Sequence, residues 1–453
     1  MTTLLTVLLG CYLLGGLLPL CTSRPHLQNI LAHSAAALAG GAGIALGLLG
    51  LVASQPLTIS VPSNIPYLTF ALRLDPLAAF FVLTISLIGM AASIYAYGYV
   101  REFTGRVSIG LLGSLLNGFL LSMTLVVLAD NGFFFLIVWE VMSLLSYVLV
   151  VTEHERPGVR EAGLFYLIMT HAGTAFIILT FLLFSQETGS FSFEAFRHPD
   201  QRLPDGLRSI AFFTALIGFG AKAGIVPLHV WLPYAHPAAP SHISALMSGV
   251  MIKTAIYGLI RVYFDFLEGQ FPWWWGFTVL SIGAVSALLG VMYALMEHDL
   301  KSLLAFSSVE NVGIILLGIG AGMIFHTYGL HELAALGLLA GLYHTINHAA
   351  FKGLLFLGAG SLLFVTHTRN IEEYGGLLRR MPWTGLCFLI GAVSIVALPP
   401  ANGFVSEWLV FQSLFLSVQL PTLFLKLMLP IAAAILALTG ALALACFAKA
   451  FGL

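Results

Sequence analysis

Residues 217–233 read IGFGAKAGIVPLHVWLP, and residues 393–412 read VSIVALPPANGFVSEWLVFQ. Each is an apolar run interrupted by glycine and proline. Each interruption carries an ionisable residue: Lys222 among Gly220, Gly224 and Pro227, and Glu407 after Pro399, Pro400 and Gly403. Proline removes a backbone hydrogen bond and kinks or breaks a helix. In lipid such a break persists only where it is buried in protein or lines a wet cavity. These two stretches therefore predict a membrane protein whose interior handles charge.

The composition around them agrees. The chain has 453 residues, 59% of them hydrophobic, and only 39 charged side chains, 19 basic and 20 acidic. That is 9% charge, against about 25% in a soluble domain. The mean hydropathy is +0.97. A soluble globular fold and a disordered chain are both excluded, and a net charge of −1 offers no basic surplus for nucleic acid. The expected fold is an all-α polytopic membrane protein. Apolar windows fall at 2–20, 30–53, 76–99, 108–128, 131–151, 162–184, 208–233, 240–264, 274–296, 303–324, 332–365, 383–417 and 422–448, which makes about 13 transmembrane helices. The N-terminal run resembles a signal peptide, but lacks a basic start and a small-residue cleavage site, so a retained first helix is expected. Residues 54–75 alternate and carry prolines, predicting an extended or hairpin segment at one membrane surface.

The breaks occupy the seventh and twelfth segments. A five-segment unit repeated once must invert, because five is odd. Discontinuous helices at matching positions of inverted halves mark ion pathways; two unrelated kinks in a large bundle are the alternative. The division expected is 1–107 for N-terminal helices with the surface hairpin, 108–265 for a first five-helix repeat and 266–453 for a second. Lys/Arg placement puts ten basic residues inside and six outside if the N-terminus is outside, with Lys222, Lys253 and Lys352 inside apolar runs. This predicts an outside N-terminus and a cytoplasmic C-terminus.

Six ionisable residues lie too deep to set topology: Glu140, Lys222, Lys253, Glu310, Lys352 and Glu407. Each would cost about 2.5–3.5 kcal/mol at the bilayer centre, so they must face one another, water or a partner subunit. Glu140 reads either as a structural ion pair or as a modulator of Lys222, since a carboxylate within about 4–6 Å favours charged lysine. Lysine suits a relay because its proton affinity responds readily to burial; snorkelling is the alternative for Lys253. His344, His348 and Lys352 recur at i, i+4 and i+8, near one helix face. They read as a proton wire, as structural hydrogen bonding, or as a metal pair, although neither an H-E-x-x-H pattern nor a third ligand is evident. Glu310 is the candidate repeat partner of Glu140, and Glu407 of Lys222. His171 is a lone candidate of similar kind. His229, His236 and His242, in a proline-rich connection, either gather protons near an opening or belong to a plain turn.

Cys11, Cys21, Cys387 and Cys446 form no C-x-x-C pair, and neither Walker A nor G-x-G-x-x-G is present. No metal, redox cofactor or nucleotide is expected, so energy must come from an ion gradient or a partner.

At this point residues 220–261, GAKAGIVPLHVWLPYAHPAAPSHISALMSGVMIKTAIYGLIR lying within them, carry a resemblance to the proton-conducting antiporter-like subunits of complex I, Mrp antiporters and membrane-bound hydrogenases. HDLKSLLAFSSVENVGIILLGIG, HTRNIEEYGGLLRRMP and LPPANGFVSEWL fit the same family, and the SVEN element, Ser308 to Asn311, is most similar to the hydrogenase 4 and formate hydrogenlyase component B type. The resemblance covers about residues 75–450. It implies that Glu140 is the fifth-helix carboxylate, Lys222 the broken-helix lysine and Lys253 the eighth-helix relay. It likewise implies that His344, His348 and Lys352 connect to Glu407 as exit group. It implies a fourteen-helix core, of which thirteen segments are counted before CFAKAFGL. The expected function is proton translocation by a non-catalytic subunit of an oxidoreductase complex in a prokaryotic inner membrane. Its partners would be further membrane subunits and a peripheral redox arm. A cation/proton antiporter subunit carrying protons and possibly Na⁺, and a non-pumping membrane scaffold, are the alternatives.

Overall fold

The computed structural model describes residues 1–197, 203–267 and 271–452; Arg202, counted above toward the outside total, lies outside them. The helices are α1 (Thr2–Leu17), α2 (Pro25–Val52), α3 (Pro76–Tyr99), α4 (Ile109–Leu128), α5 (Gly132–Val150), α6 (Val159–Thr188), α7 (Asp205–Ala223), α8 (Leu232–Ala238), α9 (Ser241–Phe266), α10 (Trp273–Met296), α11 (Leu300–Thr327), α12 (His331–Thr366), α13 (Pro382–Ile395), α14 (Asn402–Phe415) and α15 (Leu423–Gly452). Among the described residues, twelve helical segments are long and apolar enough to cross a membrane. The predicted twelfth segment is broken into α13 and α14, too short singly to span. The all-helical polytopic fold read from the sequence is thus the fold observed.

Helix starts follow local chemistry. Asp75 caps α3 by accepting from the Ala78 amide at 2.9 Å, with Pro76 in the first turn, where proline lacks only an N–H that has no helical partner anyway. Asn131 caps α5 through Phe134 N, and Asp299 caps α11 through Lys301 N and Ser302 N. Residues 54–75 form the expected hairpin: β1 (Leu57–Pro62) pairs antiparallel with β2 (Thr69–Leu74), Leu57 opposite Leu74.

The chain divides into two compact units: Met1–Lys222 with Ala238–Glu268, and Ala223–Pro237 with Gly269–Leu453. In the first, α9 is buried throughout its apolar window; a helix that is apolar all round belongs inside a bundle. It contains two π-helical stretches, Met247–Met251 and Arg261–Phe266. An ion network anchors the same unit at the end of α9. Arg261 reaches Asp75 at 2.5 Å and Asp265 at 3.0 Å, while Arg197 joins Asp265 and Asp130, and Arg73 joins Glu194. Burial pushes the Asp75 carboxyl up, but the Arg261 charge and hydrogen bond outweigh it and hold the group below its ordinary range. At Asp130 burial wins over Arg197 and the carboxyl is raised.

In the second unit, α11 is the buried centre. It packs on α10 through glycines: a Cβ at Gly283 would lie 2.8 Å from the Gly313 carbonyl oxygen, and one at Gly290 would collide with the Glu310 amide. These close approaches seat Glu310 on the inside. The apolar core around α11 includes Leu280, Ile314, Leu317, Val410, Leu414 and Leu429.

Candidate functional site

Lys222 lies in the last turn of α7, where the carbonyl-rich helix end favours a cation. The helix stops because Gly224 takes φ +79°, a conformation that costs glycine little. The side chain is 2% exposed. Its Nζ donates to Ser143 Oγ at 3.0 Å and Tyr166 Oη at 2.8 Å, and it lies 5.0 Å from the Tyr166 ring centre. Tyr166 shares a 2.5 Å hydrogen bond with Ser146. No direct ion pair with Glu140 forms: among the described residues no carboxylate lies within 4.0 Å of Lys222, and Glu140 pairs with His171 at 3.1 Å while staying within electrostatic reach of Lys222. The reason is the helix face. Ser143 is buried, whereas Glu140 is half-buried and points toward α6, where His171 is exposed. His171 is therefore half of a pair rather than a lone group.

Lys253 follows the first π-helical stretch of α9 and is buried, its Nζ donating to the Ser248 carbonyl. A π turn shifts the carbonyl register by one residue, which makes a carbonyl five positions back available to the ammonium. Snorkelling is ruled out by 1% exposure. His242, at the start of the same helix, is buried with its ring edge toward Tyr99, 5.6 Å away.

The second unit holds a separate line of polar groups. Lys352, on α12, donates to the Leu304 carbonyl at 2.7 Å and Ser307 Oγ at 2.5 Å. One and two turns back are His348 and His344, all three buried on one side of α12, with the two imidazole centres 6.4 Å apart. His344 contacts Asn311 Oδ1 through Nε2 at 3.1 Å and Ser406 Oγ through Nδ1 at 3.0 Å. Since Asn311 Nδ2 donates to Ser307 O, its Oδ1 accepts, and Nε2 of His344 carries a proton. Nδ1 can then accept from the Ser406 hydroxyl, or, once protonated, donate to it while Ser406 turns its proton to the Gly403 carbonyl at 3.0 Å. His344 thus has partners for both charge states.

Glu310 is buried within electrostatic reach of Lys352 and Glu407. Its Oε2 has no hydrogen-bond partner among the described residues. Glu407 is 7% exposed and lines a cleft of about 390 Å³ with Phe404, Trp408, Phe411, Leu436 and Gly440. The α13–α14 break beside it is held tightly, since a Cβ at Gly403 would overlap the Ser394 carbonyl.

The histidine connection departs from expectation. It is largely helical rather than an open loop, as prolines sit in the first turn or near the end of α8. His236 and His242 are fully buried and His229 is half-buried. His236 stacks on Phe356, 5.3 Å between ring centres. Among the described residues no cluster of three or more His, Cys, Asp or Glu side chains is placed to hold a metal.

Ser143, Tyr166, Ser307, Asn311 and Ser406 went unnoticed in the sequence. Ser143 and Ser307 lie three residues from Glu140 and Glu310, which is a usable signal in an apolar run. Tyr166 offers none.

A multi-pass helical bundle whose buried lysines, Lys222, Lys253 and Lys352, are held by hydroxyls or carbonyls defines a polytopic membrane protein with charge sites in its interior. The chain belongs to the family described as NADH:quinone oxidoreductase/Mrp antiporter, transmembrane, whose model matches residues 129–432. It is 47% identical over 420 residues to hydrogenase-4 component B of Escherichia coli (strain K12), covering 92% of this chain and 62% of that protein. It is 35% identical over 394 residues to formate hydrogenlyase subunit 3 of the same organism, covering 87% and 62%. The chain therefore spans about three fifths of the length of these relatives. A chain of the Mrp complex from Dietzia sp. DQ12-45-1b shares the fold, with TM-score 0.85, 22% identity and coverage of 99% of this chain and 80% of that one.

Proposed function

We propose that this chain is a proton-translocating membrane subunit of a hydrogenase- or formate-linked redox complex, related to complex I, in which electron transfer in partner subunits drives proton movement. The reading rests on one observation above others. Lys222 and Lys352 are buried and solvated by hydroxyl and carbonyl groups, with no carboxylate within 4.0 Å among the described residues. A permanent ion pair would fix the charge; hydroxyls solvate an ammonium yet tolerate the neutral amine. Lys222 and Lys253 serve as proton stations of the first unit. His344, His348 and Lys352, with Glu310 within electrostatic reach of Lys352 and Glu407, serve in the second, and Glu407 is the exit carboxylate. Glu140 with His171 forms an outward-facing pair that a neighbouring membrane subunit covers. His229, His236 and His242 have the weaker role of lining the chain's central connection. The complex sits in a bacterial inner membrane, N-terminus outside and C-terminus cytoplasmic, with a peripheral redox arm.

The test is redox-driven proton uptake by inverted vesicles containing the complete complex. Lys222→Ala and Glu407→Gln should each cut uptake by about tenfold or more, a barrier change of about 1.4 kcal/mol. Uptake unchanged in both variants refutes the mechanism and supports a scaffold. Proton movement driven by Na⁺ with no redox donor would assign the chain to cation/proton antiport instead.

A further inference from the structure

The four N-terminal helices contain a line of buried polar atoms that the translocation reading does not use. Among the described residues, Asn29 Oδ1, His33 Nε2, Asn117 Oδ1, Tyr12 Oη and Ser86 Oγ have no hydrogen-bond partner. Their residues are at most 4% exposed. Such groups are rarely left unsatisfied inside proteins, and five in one bundle exceed what packing error in an apolar core explains.

They are neighbours. Asn29 and His33 are one turn apart on α2, and His33 Nδ1 contacts the Asn29 carbonyl at 2.9 Å. Asn117, on α4, donates to the carbonyl of Ala32 at 3.0 Å, beside His33. A Cβ at Gly15 would overlap Asn117 Oδ1, and one at Gly43 would overlap Ser86 Oγ. A Cβ at Gly89, one turn from Ser86, would lie 3.7 Å from Tyr12 Oη. Glycine thus stands beside three of the five polar groups, and at Gly15 and Gly43 the polar atom takes the place a methyl would occupy. At the end of the bundle where α2 begins and α3 ends, a cavity of about 510 Å³ opens, lined by His26, Asn29, Arg101 and Thr104. Asn29 belongs to both the cavity and the line.

We propose that this cavity is the mouth of an aqueous inlet into helices α1–α4, which takes water and protons past Asn29 to His33 and on to Asn117, Tyr12 and Ser86. A buried water bonds to two to four polar partners, and the five orphan atoms supply that set in file. His33 is the proton-binding station by geometry. A carbonyl only accepts, so Nδ1 carries the hydrogen and Nε2 presents its lone pair to the file. A proton delivered by water binds Nε2 to give the imidazolium, with Nδ1–H still on the Asn29 carbonyl; return of that proton to water restores the neutral ring. The other titratable side chains on the packed helices are Cys11 and Tyr12 on α1, His26 on α2 and Tyr95, Tyr97 and Tyr99 on α3, with none on α4; Arg101 and Glu102 follow α3 at the mouth. No carboxylate within these four helices fixes the charge of His33. The inlet is independent of whether the protein is redox-driven, an antiporter or a scaffold.

The experiment is cysteine accessibility in the full-length protein, cysteine-free and in native membranes, with the small cationic reagent methanethiosulfonate ethylammonium. Asn29→Cys and Asn117→Cys should react at least about tenfold faster than Ala36→Cys, which is fully buried, a difference of about 1.4 kcal/mol in access. Ser86→Cys replaces Asn117→Cys if that variant does not fold. As the medium is acidified and the ring takes its second proton, reaction beyond His33 should slow several-fold relative to the same protein carrying His33→Gln. Reactivity at 117 and 86 equal to that at 36 overturns the inlet. Reactivity indifferent to His33 at every pH overturns its role as the station, and with it the proposal.

Discussion

Replacing Asp75 with asparagine removes one charge from the network that ties the hairpin, α3 and the end of α9 together, and leaves the rest of its local structure in place. Asn keeps an Oδ1 acceptor for the Ala78 amide, so the α3 cap survives. The same Oδ1 accepts from the Arg261 guanidinium, which is 8% exposed, at 2.5 Å, so what is lost is the negative charge opposite it. A hydrogen bond to a charged group contributes about 1.5–3 kcal/mol, and removing one partner of a fully buried pair costs about 3–5 kcal/mol. Arg261 retains Asp265 at 3.0 Å and the Tyr257 hydroxyl at 3.0 Å, so the lower range applies and a loss of about 2 kcal/mol is expected. For a unit of this size that lowers the thermal midpoint by about 4–8 °C. The assay is thermal unfolding of the purified full-length protein in nanodiscs between pH 3 and 8. Because the Asp75 carboxyl is held below its ordinary value in the fold, its contribution is fully present above the unfolded value of about 3.9. It fades only as the pH falls through the lower folded value. The gap between wild type and Asp75→Asn should therefore be constant from about pH 5 to 8 and close only under stronger acid. Equal midpoints at pH 7, or a gap that closes between pH 7 and 5, would refute the reasoning.

Three further outcomes follow from contacts in the second unit and the Lys222 site. Gly403→Ala forces a methyl onto the Ser394 carbonyl and should destabilise by about 1–3 kcal/mol, whereas Gly440→Ala, with open space around its Cβ, should leave the melting curve unchanged. Tyr166→Phe deletes one of two hydroxyls on Lys222 while keeping the packing; proton uptake by vesicles should fall by about tenfold or more with the protein still folded. Lys449→Met removes the ammonium that holds the Leu295 and Glu297 carbonyls at the end of α10, at a cost of about 1 kcal/mol. Amide exchange in the last turn of α10 should rise while that of α11 does not.

Much of the fold was legible because a bilayer imposes simple rules. Runs of apolar residues long enough to span it mark helices, and prolines at 227 and 399–400 mark breaks because no water is present to rescue the lost hydrogen bonds. The period of α12 likewise placed His344, His348 and Lys352 on one side without any knowledge of neighbours. The partners of the charges were not legible. Glu140 read either as a structural ion pair or as a modulator of Lys222, and only the fold shows α5 turning Ser143 onto the lysine and Glu140 onto His171 of α6. Helical spacing fixes which residues share a face, not which neighbouring helix that face meets. The prolines of residues 232–240 suggested an open turn, but tolerated positions within α8 let the chain remain helical and bury His236 and His242.

By itself the sequence determined that this is a membrane bundle with interrupted helices and that a few ionisable residues lie within it, since composition, hydropathy and spacing are properties of one chain in a known solvent. Only the tertiary structure decided what solvates each charge. Hydroxyls and carbonyls from distant helices hold Lys222 and Lys352, and glycines set the approach that seats Glu310. The contacts that hold the two lysines join residues up to 79 positions apart, and no periodicity along a single helix encodes them.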